Sequence, residues 1–187
     1  MMNYSTKILI VLAVFFTNTF SVSFSQMNVS QTMTPTQYVN DVLLGEGVTA
    51  TNVQFSGSME QIGYLTGGTG FSLESGVILS TDLATNPATC NPTGGCATCG
   101  GAGDPDLLTV ANSVPPLIGE NFNVSGVFDV CILEFDFQPS GDFVSFNYVF
   151  GSDEYLTYVN SPYNDIFGFF LSGPGITGPY ASPAGFP

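Results

Sequence analysis

Two clusters of oxygen-bearing side chains stand out as places where chemistry could occur. The first is GDPDL, in which Asp104 and Asp106 are two residues apart and project alike if the backbone is extended. The second is GSDEYLTYVNSPYND, which carries Asp153, Glu154, Asn160, Asn164 and Asp165 between two apolar flanks. The chain has 15 acidic residues against one Lys, with no Arg or His. Lys7 lies near the amino terminus, so beyond it these carboxylates have no cationic side chain to pair with. Clustered carboxylates in that situation are hydrated, protonated or neutralised by a bound cation. Ca²⁺ is the cation suited to Asp, Glu, Asn and loop carbonyl oxygens, which makes Asp104, Asp106, Asp153, Glu154, Asn164 and Asp165 its candidate ligands. Neither cluster has the spacing of an EF-hand loop, and a solvated acidic loop explains the same residues.

Catalysis finds less support. Without His, neither a Ser-His-Asp nor a Cys-His arrangement can be assembled, and no basic side chain beyond Lys7 replaces the missing base. A carboxylate-dependent hydrolase would need two acids facing one substrate. Asp153 and Glu154 are neighbours and diverge if they sit on a strand. No enzymatic activity is expected. The same charge balance excludes nucleic acid as a partner and disfavours anionic membranes, because both are held by Lys and Arg. A further binding option rests on Tyr155, Tyr158 and Tyr163, interleaved with Asn, Ser and Pro. Such side chains stack on sugars, as in a carbohydrate-binding module, or pack a loop against a sheet.

The elements that must position these residues follow from periodicity. Residues 1–25 read as a signal peptide: Lys7, the apolar run ILIVLAVFF, and small Ser23 and Ser25 before a cleavage point ahead of Gln26. No other run is long and apolar enough to span a membrane, so no transmembrane span is expected in the mature chain. Residues 26–33 form a polar lead-in, and 34–187 form one β domain. TPTQYVNDVLLGEG predicts a short helix capped by Thr34 or Thr36, with Tyr38, Val42 and Leu43 on one face and Gly45 or Gly47 as the stop. VTATNVQFSGS, IGYL, SGVILSTD, VFDVCILEFDFQP, DFVSFNYVF and NDIFGFFLSG predict strands, with PSGD as a hairpin turn between the fourth and fifth. Pro115-Pro116 argues against a regular element there, and no helix longer than the first is expected. The predicted fold is all-β, an antiparallel β-sandwich of jelly-roll type with one short N-terminal helix. Cys90, Cys96 and Cys99 cluster in a long Gly-rich loop, and Cys131 stands in a strand. In an oxidising compartment four cysteines point to disulfides, with the pairing open.

YVNDVLLGEGVTATNVQFSG, SGVILSTD, GDPDL, LEFDF and above all FNYVFGSDEYLTYVNSPYNDIFGFFLSGPG resemble the choice-of-anchor L domain, from about Tyr38 to about Tyr180. The resemblance implies a secreted bacterial surface protein of the kind found in Bacteroidetes. It also implies an adhesive or matrix role, an extracellular glycan or protein surface as partner, and no catalytic residues. Such proteins carry an anchoring or sorting module after the domain, and further strands would follow GPGITGPY. The domain is therefore expected to be incomplete at residue 187.

Overall fold

The structure, a computed structural model, describes residues 27–68, 73–86, 99, 103–152, 158 and 165–176. Its strands pair in two antiparallel sheets, joined by short helical pieces. β1 (Asn28–Ser30), β3 (Ile62–Thr66) and β4 (Ser75–Leu79) form one sheet in the order β1-β3-β4. β2 (Val48–Ser56) and β5 (Ile132–Pro139) form the other. β2 to β5 are rich in β-branched or aromatic residues, the composition that fits a pleated, half-buried surface. Ile62 pairs with Leu79 and Thr66 with Ser75 across β3 and β4, while Asn28 pairs with Thr66 across β1 and β3.

The β2–β5 ladder carries a bulge. Thr51 faces Asp136 and Gln54 faces Glu134, so Asn52 and Val53 together oppose Phe135. Asn52 takes the left-handed conformation there, with φ 54°, which Asn tolerates better than most residues. Its Nδ2 donates to Asp136 Oδ2 at 2.6 Å, tying the bulge to the partner strand. On β5, Glu134 and Asp136 are exposed while Leu133 and Phe135 are half-buried. That is the alternation expected of its later part. The strand begins only at Ile132 because Asp129 adopts φ 54° and interrupts the extended run.

The first helical segment starts where expected. Thr34 caps α1 (Pro35–Gln37) in a reciprocal capping box: Gln37 N donates to Thr34 Oγ1 and Thr34 N donates to Gln37 Oε1. The chain then winds as a π turn over Tyr38–Leu43, closed by Leu44 N donating to Val39 O at 3.0 Å. The wider winding changes which residues face inward. Tyr38 and Val39 are fully buried and Leu43 is exposed, in place of the expected Tyr38, Val42 and Leu43 face. Tyr38 hydroxyl donates to Ser30 O, and burial raises its pKa.

A second correction concerns α2 (Pro105–Leu117), a 13-residue helix where Pro115-Pro116 argued for none. The prolines fall in the last turn. There they remove two helical donors, but the helix is closing anyway. Gly119 N donates to Pro116 O, Glu120 N donates to Pro115 O, and Gly119 has φ 78°. These are the bonds of a Schellman ending, which needs a left-handed residue. The expected strands DFVSFNYVF and NDIFGFFLSG join no backbone ladder among the described residues, and β5 pairs with β2 instead of with the segment after PSGD. The described strands do not trace a jelly-roll connection.

The two sheets meet at Gln61, in the 3-10 turn Met59–Gln61 that leads into β3. Its side chain is fully buried, accepting from Ser58 N at 2.8 Å and donating to Asp129 O at 2.9 Å. One amide therefore joins the start of β3 to the approach to β5. Gly57 packs against the same place. A Cβ there would lie 3.0 Å from Gln61 Oε1 and 3.1 Å from Cys131 Cβ, and φ is 144°. The φ favours glycine there, and the close contacts would make a side chain a tight fit.

Candidate functional site

The acid pair of GDPDL is split by the start of α2. Asp104 is the N-cap, with φ −106° and ψ 125°, and its Oδ1 accepts from Leu107 N at 2.7 Å. Pro105 opens the helix, and Asp106 sits exposed in the first turn, where the helix dipole favours an acid. Asp104 and Asp106 are therefore not two like positions on one extended strand. The helix N-terminus already uses one carboxylate. Of the second cluster, Asp165 is described and exposed, whereas Asp153, Glu154, Asn160 and Asn164 lie outside the described residues. Among the described residues no three Asp, Glu, Cys or His side chains come together in a group that could hold a metal ion.

Hydrogen bonds not evident from the spacing of acids organise the surroundings of α2. Asn112 Nδ2 donates to Leu108 O at 3.0 Å and to Val124 O at 3.2 Å, and Val124 N donates to Asn112 Oδ1 at 2.9 Å. The side chain mimics a strand neighbour and fixes the returning segment alongside the helix. Gly103 lies so close to that segment that a Cβ would stand 2.7 Å from Val127 O. At Gly168 a Cβ would stand 2.7 Å from Leu107 Cδ2, so the Phe-rich segment after Asp165 rests on the first turn of the same helix.

That contact selects the faces of an aromatic ribbon. Phe146 stacks on Phe169 with ring centroids 4.2 Å apart and planes 18° apart, and Tyr148 stacks on Phe167 at 5.7 Å and 19°. Phe150 lies 6.4 Å from Phe167. Partners rise on one side as they fall on the other, so residues 146–150 and 167–169 run antiparallel and are held by rings. From Asp165 to Phe169 exposure alternates, with Ile166 and Gly168 half-buried and Asp165, Phe167 and Phe169 exposed. Phe146, Tyr148, Phe150, Phe167 and Phe169 are 47 to 64% exposed. The stretches 143–152 and 166–176 contain no charged residue. Each stacked pair covers one face of each ring and leaves the rest of the ring exposed.

Of the tyrosine candidates, Tyr158 is 44% exposed, and Tyr155 and Tyr163 lie outside the described residues. Cys131 is a free thiol, a correction to the expectation that all four cysteines could pair. It sits in the inter-sheet joint with its Sγ donating to Ser80 O at 3.3 Å. Burial pushes its pKa up to about 11, so the site favours a neutral thiol. Cys90 and Cys96 lie outside the described residues. No helix among the described residues is long and apolar enough to cross a membrane.

An acidic β-rich domain with short helices and an uncharged aromatic ribbon is the class of molecule these features define. Residues 26–186 match the family model of the choice-of-anchor L domain, nearly the whole chain, and the chain belongs to that family. Membership makes it a domain of a surface-anchored protein. No curated protein and no solved structure gives a significant match to it.

Proposed function

We propose that this is a non-enzymatic adhesive or matrix-forming domain, displayed outside the cell, that makes its contacts through the aromatic ribbon. The observation that carries the reading is the open face of Phe146, Tyr148, Phe150, Phe167 and Phe169 on a chain of net charge −14. Large exposed apolar patches mark interaction surfaces more often than they mark solvent-facing decoration. The two antiparallel sheets are read as layers of a β-sandwich that carries this ribbon. The Cys-rich loop is read as stapled by a disulfide at Cys99.

The test displays the domain on beads and measures both bead clustering and retention on protein-coated surfaces. A Phe146→Ser/Phe169→Ser double variant should lose adhesion by about tenfold or more, the equivalent of ~1.4 kcal/mol, while keeping the wild-type circular dichroism spectrum. Adhesion should also persist from low to high salt, because the face carries no charge. Full adhesion by the folded double variant, or loss of wild-type adhesion on adding salt, would overturn the reading.

A further inference from the structure

We draw no further inference here: the strongest candidate, the outward face of the aromatic ribbon formed by Phe146, Tyr148, Phe150, Phe167 and Phe169, belongs to the site already described, and nothing in the structure shows what covers it.

Discussion

Replacing Gln61 tests whether one buried amide couples the two sheets. In Gln61→Ala, Ser58 N loses its acceptor and Asp129 O loses its donor. Each buried group left unpaired costs about 1–3 kcal/mol. Both backbone partners are only half-buried and can recover water in part, so a total of about 2–4 kcal/mol is expected. For a chain of this length that lowers Tm by about 4–16 °C. Gln61→Glu separates the two bonds. One carboxyl oxygen still accepts from Ser58 N, but the other faces Asp129 O and can bond to it only when protonated. Burial and the facing carbonyl both favour the neutral acid, raising its folded-state pKa above the unfolded value of about 4.3. The folded variant then binds its proton more tightly than the unfolded chain does. Its stability relative to wild type is highest below that unfolded pKa and falls as pH rises toward the folded one. Thermal unfolding of wild type, Gln61→Ala and Gln61→Glu across an acid-to-neutral series reads both effects. A Gln61→Glu deficit that is constant with pH, or a Gln61→Ala variant that melts with wild type, would refute the coupling.

Asp104→Ala should cost about 1 kcal/mol by removing the α2 cap, whereas Asp104→Asn should melt close to wild type because Asn also caps; chemical denaturation with equal losses for both would contradict the assignment. Cys131 should react slowly with iodoacetamide at neutral pH and accelerate as pH climbs toward about 11, the value set by its burial; labelling at the rate of the unfolded chain would contradict it. Its raised pKa also means that the folded state loses stability relative to the unfolded state as pH passes the ordinary thiol value and approaches 11. Ca²⁺ is expected to raise Tm through the second acidic cluster, and to do so in Asp104→Asn as in wild type, since that carboxylate is occupied by Leu107 N. Chelated and Ca²⁺-loaded samples that melt together would remove Ca²⁺ from the picture.

Much of the strand content was legible because its signal is local. Val48–Ser56, Ile62–Thr66 and Ser75–Leu79 announce themselves by β-branched residues and by the Gly and Ser that bound them. Their partners were not legible. β2 and β5 pair across the whole intervening chain, and the hairpin that PSGD suggested yields to that distant ladder. The π turn was hidden for a different reason. Its capping box is visible in Thr34 and Gln37, but helical periodicity assigns inward residues by ordinary winding, which Leu44 N bonding to Val39 O replaces.

Asp104 shows how one group can satisfy two descriptions. A carboxylate oxygen that accepts a backbone N–H at a helix start and one that binds a cation answer the same shortage of positive charge. Asp-Pro before an apolar run also begins a helix, with Asp as cap and Pro at its first position. At Asp104 the helix supplies the donor from its own Leu107 N, within the chain and without a ligand. The prolines at 115 and 116 concealed this because they argued against the helix that Asp104 starts. Once α2 exists, Leu107 provides the support on which Gly168 rests, and Phe167 and Phe169 are left facing outward. The cap at Asp104 and the aromatic face are thus linked through one helical turn: the acid helps position the surface that the proposed adhesion uses.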